Sequence, residues 1–532
     1  MIAELDDLYE RALPLLAKRL NLVHGLAHDT EYWRIVAGPW LQHYLHVLAD
    51  RHTLLREAER LAPGFDTILL PESAYQTPHD TADFCNRSAE DLYNLQLFSQ
   101  LLRATGQKYS ERVSAPCVGE RKQTRNTRSW REVAERSLQG GWGALNRARG
   151  GGGVALAGMY LGFKDKWRLA TAVGRAGDLL EAPSHVRVVE VDRARRRAEF
   201  TSLSLGGGKI AQLAAELLPL NLPVVLLEGF PALLAAVTPL QPRRRQGVVS
   251  LVGWTSIEWF KVFAAEARAG GARLVAGQHG GCYGVARYSS SEDHERRVSD
   301  AYGTWGWAGQ TRSTKCRDVP APKISALYRR TRVAADVVFV GTAHPRYLYR
   351  FQSSPVGSQW AEYFEAQLTF YRRLSEELRR TIYYRPPPDE YGHGYRRQML
   401  KAFPEVRLDP VRDGRRRLLR AAILVVDHNA TTLLEALALD IPTIAFWRED
   451  RWELRESAEP AFAALREAGI LHRSPEEAAA QLQRVAAAPL DWWDSRQSRT
   501  ARTDFMRAFV LTSPRWAADW AAFIHYETGP HN

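Results

Sequence analysis

The chain has 532 residues, of which 45% are hydrophobic, 25% charged and 10% aromatic. These globular values exclude a mainly disordered or collagen-like chain, and at roughly 150 residues per domain the length favours two to four domains. The net charge of +12 favours a solvated basic surface, and the alternative is attraction to an anionic lipid surface or to an anionic small substrate. Nucleic acid is not expected as a partner, because no helix-turn-helix, zinc-finger or RNA-recognition signature occurs.

The cysteines and the apolar stretches of the sequence indicate in which cellular compartment the protein is expected. The four cysteines form no C-x-x-C pair, so neither a disulfide scaffold nor a zinc knuckle is predicted. The start of the chain has no basic region before an apolar run, which argues against a secretory signal. Charged residues and prolines interrupt the most apolar stretch, 210–240, so no membrane span is predicted. We expect a cytoplasmic protein, with peripheral contact at the inner membrane left open.

The first half of the chain begins with helices and continues with strands. Leucines on a broad face predict helix over residues 1–60. A helix is predicted from about Ile257 to Ala269, and the glycine-rich segment 140–153 is predicted as a loop or linker without the G-K-[ST] of a phosphate loop. Short apolar runs predict strands at Thr67–Leu70, Val186–Val191, Val224–Leu227, Val248–Val252 and Leu274–Ala276.

The second half alternates more regularly between strands and helices. Helices are predicted at about Trp360–Arg379 and Thr432–Ala438. Strands are predicted at Val337–Val340, Ile382–Tyr384, Val406–Leu408, Ile423–Val426 and Thr443–Phe446. Such alternation indicates βαβ units and parallel sheets. We therefore predict an α/β fold with two facing Rossmann-like domains, 1–320 and 321–532. The last predicted helix, about Ser498–Phe509, is expected to cross back onto the first domain.

A histidine among glycines follows the strand Leu274–Ala276 directly, in the segment GQHGGCYG. Open α/β sheets bind ligands at this end of a strand, and histidine suits general base catalysis near neutral pH. The alternative is a tight turn with a surface histidine, followed by an ordinary acidic helix start. The functional interpretation makes His279 catalytic, orients it through Gln278 or the pair Glu292 and Asp293, and assigns substrate contacts to Gly280, Gly281 and Tyr283.

A second segment, VVDHNATTLLEAL, runs from a buried strand through a loop into a helix. The free amides of a helix N-terminus bind phosphate groups, and a carboxylate one turn further can accept hydrogen bonds from ribose hydroxyls. The same spacing also fits a capping box with Thr432 at the cap and Glu435 three residues later. The nucleotide interpretation assigns donor binding to Asp427, His428, Thr431, Thr432 and Glu435.

A third segment, GTAHPR, follows the strand Val337–Val340. Thr342 and His344 can contact a phosphate or a base there, or the segment is simply a β–α turn closed by proline. Arg385, just after the next strand, is a further phosphate or carboxylate ligand. The sequence has no D-x-D triplet, no H-E-x-x-H and no G-x-S-x-G elbow, so we predict no metal site, a metal-independent reaction and no cofactor.

Three stretches together resemble one bacterial family of transferases encoded in O-antigen and surface-polysaccharide clusters. They are NLVHGLAHDTEYWRIVAGPWL, GQHGGCYGVARYSSSEDHE and DHNATTLLEALALDIPTIAFW. The resemblance covers most of the chain in the same order, and Gln-His-Gly-Gly is its most specific element. The family is distantly similar to Kdo transferases of capsule and lipopolysaccharide synthesis and to other GT-B glycosyltransferases. The resemblance implies a GT-B fold, a nucleotide-activated donor and a polysaccharide or glycolipid acceptor.

These observations predict a glycosyltransferase whose second domain binds the nucleotide-activated sugar and whose first domain presents His279 and the acceptor. The likeness to Kdo transferases favours a CMP-ulosonate donor. Three alternatives stay open: a CDP-polyol-type phosphotransferase, a GT-B-like nucleotide-sugar epimerase and a non-catalytic basic scaffold of a polysaccharide assembly complex.

Overall fold

The N-terminal part of the chain is a helical layer. The computed structural model describes residues 1–106, 111–113, 141, 153–183, 189–241, 245–327, 336–411 and 413–529. The predicted helical start is three helices, because Gly25 ends the first with a left-handed backbone (φ 64°) and the Asp29 carboxylate caps the second. Trp33 and Trp40 are fully buried between them. The helices of this layer are Ile2–His24, Thr30–Val36, Gly38–Leu61, Thr81–Ser88 and Asp91–Thr105.

The first large sheet has six parallel strands in the order β4-β3-β5-β6-β7-β8. Its strands are β3 (Val154–Leu156), β4 (Gly177–Leu179), β5 (Gly247–Ser250), β6 (Arg273–Gly277), β7 (Ala301–Thr304) and β8 (Cys316–Asp318), preceded by a small parallel pair, β1 (Thr67–Leu69) and β2 (Glu111–Val113). The α-helices of this half are Phe163–Val173, Arg193–Phe200, Lys209–Asn221, Phe230–Val237, Gly253–Ser256, Glu258–Ala269, Ser290–Val298 and Pro322–Ser325.

The second large sheet also has six parallel strands, in the order β11-β10-β9-β12-β13-β14. They are β9 (Asp336–Val340), β10 (Ile382–Arg385), β11 (Arg407–Leu408), β12 (Ala421–Val426), β13 (Thr443–Phe446) and β14 (Leu471–His472). The α-helices that follow β8 and Pro322–Ser325 are Gln359–Arg372, Glu376–Arg379, Tyr395–Ala402, Gly414–Leu418, Thr431–Ala438, Glu459–Glu467, Pro475–Val485, Pro489–Trp493, Arg496–Phe509 and Trp516–Thr528. None of the described helices is long and apolar enough to span a membrane.

Two parallel six-stranded sheets, each alternating with helices, confirm the predicted α/β class with two Rossmann-like halves in a GT-B-like arrangement. The predicted strand Val224–Leu227 is wrong. Its residues Val224–Leu226 form a 3-10 helix whose backbone binds the carbonyl of Pro78, so this apolar run is buried without joining a sheet. Of the predicted strand Val186–Val191, residues 186–188 lie outside the described part of the chain, and residues 189–191 are not a strand.

The C-terminal end of the chain crosses back onto the first sheet, one helix later than predicted. Helix Arg496–Phe509 packs on the second half, where the rings of Phe462 and Phe505 lie 5.1 Å apart. The next helix, Trp516–Thr528, covers the first sheet. Its fully buried Trp520 donates through Nε1 to the carbonyl of Pro320 at 2.7 Å. A Cβ on Gly277 would lie 2.4 Å from this indole, so β6 needs glycine there.

We expect Trp520→Ala to destabilise the first domain by about 3–5 kcal/mol, because it opens a large cavity under β6. Trp520→Phe retains most of the buried ring and loses only the hydrogen bond to Pro320, which costs about 1 kcal/mol. Thermal unfolding followed by circular dichroism compares the two variants. If the Ala variant unfolds at the same temperature as the Phe variant, the helix is dispensable for the stability of this sheet.

Candidate functional site

The fully buried side chain of Gln278 fixes the conformation of the loop after β6. Its side-chain amide donates to the carbonyl of Gly280 at 3.0 Å. Its carbonyl oxygen accepts from the Trp305 amide at 3.0 Å and from the Trp307 indole at 2.8 Å. These bonds fix the loop against β7. Gln278 therefore supports the glycine turn, and the structure places no bond from it to the imidazole.

A chain of three side chains leads from His279 into the protein. His279 Nε2 lies 3.2 Å from the hydroxyl of Tyr283, which donates to Glu295 Oε1 at 3.0 Å. Because a tyrosine hydroxyl has one hydrogen, it accepts from His279 Nε2–H in this arrangement. Nδ1 is then the basic nitrogen of the ring. It is withdrawn from solvent, lies 3.7 Å from Glu295 Oε1 and has no hydrogen-bond partner among the described residues. The hydroxyl of Tyr302 donates to the other carboxyl oxygen, Oε2, of Glu295 at 3.4 Å.

The electrostatics of this chain favour uncharged groups. Burial, together with the nearby positive charge of Arg350, lowers the pKa of His279 to about 4. Burial also raises the pKa of Glu295 well above its ordinary value, against the hydrogen bonds from Tyr283 and Tyr302. The imidazole is therefore neutral at pH 7 and able to take a proton. Its side chain is 23% exposed, so the ring remains accessible.

Glu292 and Asp293 do not contact the histidine. Glu292 is buried, accepts from the Gly284 amide at 2.9 Å and pairs with Arg455 of the second half at 2.8 Å. Asp293 lines a separate cavity of about 410 Å³, and burial raises the pKa of its carboxyl to about 6. The carboxylate that orients the ring through Tyr283 is Glu295, one helical turn beyond Glu292. The acidic stretch thus supports His279 through a different member than predicted.

The second predicted segment lies at the carboxyl end of β12. Asp427 is buried, where it accepts from Gln367 Nε2 at 2.6 Å and binds His428 Nδ1 at 2.9 Å. Helix Thr431–Ala438 begins one residue earlier than predicted, with Ala430 at its N-cap and no side-chain cap. The capping box that would use Thr432 is therefore not formed.

Glu435 is oriented towards the first half of the molecule. Its carboxylate lies 3.9 Å from the ammonium of Lys323, which follows β8. The same ammonium lies 4.8 Å from the ring centre of Tyr160, at the carboxyl end of β3. Glu435 therefore borders the cleft between the two sheets.

The two predicted segments meet across the domain boundary. The amide of Gly281 donates to the hydroxyl of Thr431 at 3.0 Å. A Cβ on Gly281 would lie 2.3 Å from the Thr431 backbone nitrogen, whereas one on Gly280 would meet only the Tyr283 ring at 3.3 Å. The histidine loop thus reaches the N-terminus of helix Thr431–Ala438, and this approach requires glycine at position 281.

The third segment contributes less directly. The Thr342 amide donates to the hydroxyl of Tyr363 at 2.8 Å. The ring of His344 packs 5.4 Å from that of Trp360, and burial lowers its pKa to about 4. Arg385 donates to Asp409 at 2.6 Å and to the Val411 carbonyl at 2.5 Å, on the β11 side of its strand. Its guanidinium is therefore held by the protein, and its predicted role as a phosphate or carboxylate ligand stays a prediction.

Residues 1–524 match the model of the LIC12162 family transferase. The chain belongs to this family of transferases. No curated protein matches the chain. Similar solved structures include MnaA of S. aureus with UDP, at 10% identity and a TM-score of 0.39 over 70% of this chain and 96% of that chain. WaaG, a glycosyltransferase involved in lipopolysaccharide biosynthesis, matches at 12% identity and 0.34 over 71% and 100%. The wall teichoic acid polymerase TagF (H548A) matches at 10% and 0.36 over 75% and 96%.

Sequence reasoning missed an aromatic crevice beside Asp427 in this transferase. It is narrow, about 30 Å³, and lies at the carboxyl ends of β12 and β13. Its aromatic walls are Tyr363, Phe446, Trp447 and Trp452, and its cations are Arg448, Arg451 and Arg473. The signal was the run of tryptophans and arginines directly after β13. Over the described ranges, no group of three or more His, Cys, Asp and Glu residues is arranged to hold a metal ion.

We expect Gly281→Ala to separate the histidine loop from helix Thr431–Ala438, because its Cβ would overlap the Thr431 backbone. The matched variant Gly280→Ala needs only a small shift of the Tyr283 ring. Hydrogen exchange at the first turn of helix Thr431–Ala438 measures the effect, with faster exchange expected for Gly281→Ala alone. Equal exchange in both variants would contradict the proposed tight contact.

Proposed function

We propose that this transferase moves a sugar from a nucleotide-activated donor to a hydroxyl of a surface-polysaccharide or glycolipid acceptor. The observation that carries the proposal is the contact of the His279 loop with the uncapped N-terminus of helix Thr431–Ala438. A neutral imidazole and a helix end that favours anions are then close to one cleft. Glycosyl transfer needs this combination, because a proton is removed from the acceptor while negative charge develops on the leaving nucleotide.

Donor binding in this proposal uses the second half of the molecule. The amides and dipole at the start of helix Thr431–Ala438 stabilise the phosphates of the nucleotide. Glu435 accepts hydrogen bonds from the ribose hydroxyls, each worth roughly 1.5–3 kcal/mol when charged. The base lies at the mouth of the aromatic crevice beside Asp427, because the crevice itself, at about 30 Å³, is too small to hold it. The exposed side chain of Arg448 lies at this mouth and is free to cover the base.

The chemical step in this proposal is an inverting displacement. The ring of His279 turns so that its basic nitrogen, buried in the free protein, faces the acceptor hydroxyl and takes its proton as the oxygen bonds to the anomeric carbon of the sugar. The bond from that carbon to the phosphate oxygen breaks, and its electron pair leaves with the nucleotide. Tyr283 and Glu295 hold the imidazole in position, which is the role of the third group in base-assisted catalysis. No metal is needed in this scheme, and a CMP-ulosonate is our preferred donor.

We expect His279→Ala to lower turnover by about a hundredfold or more, because general base catalysis contributes about 10²–10⁴ in rate. Nucleotide affinity and thermal stability should change little. The control is His525→Ala, which removes an exposed histidine of the last helix. Product formation by the purified proteins is measured with chelator present and then with added magnesium.

Each result of that assay has a definite meaning. Turnover near the wild-type rate in His279→Ala would remove His279 from catalysis, and loss of nucleotide binding would move it to the donor site. Activity that returns only with magnesium would contradict the metal-free scheme. A phosphodiester product would indicate a phosphotransferase, and a new sugar released without acceptor would indicate an epimerase. Full function of His279→Ala in cells would favour a scaffold.

We expect Glu435→Gln to weaken nucleotide binding about tenfold or more while the fold stays intact. Binding is measured by thermal shift against CMP, CDP, UMP, UDP and GDP, since a ligand at 100 times its Kd adds about 2.7 kcal/mol of stability. Glu467→Gln, at an exposed helix end, is the control. Unchanged affinity with lower stability would reduce Glu435 to an ion-pair partner of Lys323. Stabilisation by UDP or GDP without CMP or CDP would exclude the preferred donor.

A further inference from the structure

Arg350, in the segment after β9, is a half-buried arginine with no carboxylate partner in the described part of the chain. Its guanidinium donates to the hydroxyl of Ser291 and lies 5.2 Å from the ring centre of Tyr349, and its buried Nε has no hydrogen-bond partner among the described residues. No Asp or Glu of the described ranges forms an ion pair with it within 4.0 Å. The fully buried arginines differ: Arg196 pairs with Glu228 at 2.5 Å, and Arg417 pairs with Asp409 at 2.6 Å. Withdrawing part of a guanidinium from water without a counter-charge is costly, so the position of Arg350 favours an anion.

The groups around Arg350 do not supply that anion. Burial holds the pKa of His43 well below its ordinary value and raises the pKa of the Cys85 thiol to about 12. On the other side, burial raises the pKa values of Cys282 and Tyr283. Glu295 is shifted in the same uncharged direction, as described above. Imidazoles, thiols and phenols that stay neutral at pH 7 therefore surround the guanidinium, whose own pKa is raised.

Arg350 also lines a cavity of about 600 Å³ that both halves of the molecule and the N-terminal helices enclose. This is the size of sites that bind small molecules. Hydroxyl groups of Thr81, Thr255, Ser256, Tyr349 and Tyr391 line it as well. Glu90 and Asp389 lie on its wall but not within ion-pair distance of Arg350. The cavity thus offers residues with hydroxyl groups together with a cation that has no carboxylate partner among the described residues.

We propose that Arg350 binds an anionic oxygen group of the substrate, a phosphate or a carboxylate, in this cavity. A guanidinium matches either group with two parallel hydrogen bonds, and such charge-assisted bonds are the strong ones. The identity of the anion as part of the sugar donor rests on the proposed function. The presence of an anion site does not, because it follows from the unpaired cation and the cavity.

Anion binding at Arg350 would also change the basicity of His279. The positive charge of Arg350 helps to lower the pKa of His279, and a bound anion cancels that charge. The pKa of His279 then rises when the substrate is in place. The imidazole becomes a stronger base in the complex, whereas in the free enzyme it stays neutral and weakly basic. Arg350 thereby couples substrate binding to the strength of the base.

The test compares wild type with Arg350→Met, Arg350→Lys and the control Arg346→Met. Arg346 lies on the same segment, is 56% exposed and pairs with Asp91. Three probes are titrated by calorimetry: inorganic diphosphate, the nucleotide CMP, and N-acetylneuraminate as a carboxylate sugar. Cytidine is the nucleoside without phosphate. We expect Arg350→Met to lose at least tenfold in affinity for either the phosphate probes or the sugar acid, and the affected probe identifies the anion.

Two further measurements separate binding from a structural role. Without ligand, Arg350→Met should unfold at the wild-type temperature or above, because it removes a half-buried charge that has no counter-charge, whereas a structural arginine would leave a less stable protein. In NMR titrations of labelled histidine, the pKa of His279 should rise in Arg350→Met and in wild type with the bound anion, while burial still keeps it below its ordinary value. Arg350→Lys keeps the charge and should leave this pKa low.

The inference is overturned if Arg350→Met binds all probes as tightly as wild type does. It is also overturned if Arg350→Met unfolds earlier and Arg350→Lys retains full affinity, because a structural role then accounts for the residue. Loss of anion affinity together with a phosphodiester product would uphold the anion site and refute glycosyl transfer. Sugar transfer at the wild-type rate by Arg350→Met would uphold the transferase proposal and refute this one.

Discussion

The candidate site depends on one steric constraint, the absence of a side chain at Gly281. Only a glycine lets the loop after β6 approach the backbone of Thr431, and this approach joins the base of one sheet to the helix end of the other. Buried polar bonds hold both partners in place. Gln278 fixes the loop against β7, and Glu292 ties it to Arg455 across the boundary. A substitution in this loop therefore acts on the relation between the domains.

Burial keeps the ionisable groups around His279 uncharged. His279 and Glu295 are both shifted towards their neutral forms by burial, and Tyr283 connects them. Arg350 is the exception, because a guanidinium does not lose its proton in this pH range. One permanent cation among neutral groups creates an electrostatic imbalance that an anionic ligand would remove. Binding of such a ligand would thus change the basicity of His279 as well as the net charge of the cleft.

Much of the fold could be predicted from sequence, whereas the site could be predicted only in part. Runs such as β12 are apolar throughout, as strands buried on both faces require, so their positions were evident. Strands β3 and β4 have three residues each and gave no comparable pattern. Glu292 and Glu295 lie one turn apart on a helix and both bind the loop, so periodicity could not show that Glu295 is the one connected to His279. Arg350 lies in irregular chain, where periodicity carries no information, and only three-dimensional packing shows that none of the described carboxylates pairs with it.

The path of the chain restricts how the two halves can move. It passes from the first sheet to the second after β8 and returns before helix Trp516–Thr528. The two passages lie side by side, because the amide of Ala321 donates to the carbonyl of Leu511 at 2.7 Å and the amide of Leu511 to that of Trp305 at 2.8 Å. Domain closure over a substrate would have to bend both at one place. Trp520 anchors the returning helix beneath Gly277, two residues before His279. The crossing and the loop that carries the imidazole are thus connected through the packing of Trp520 against β6.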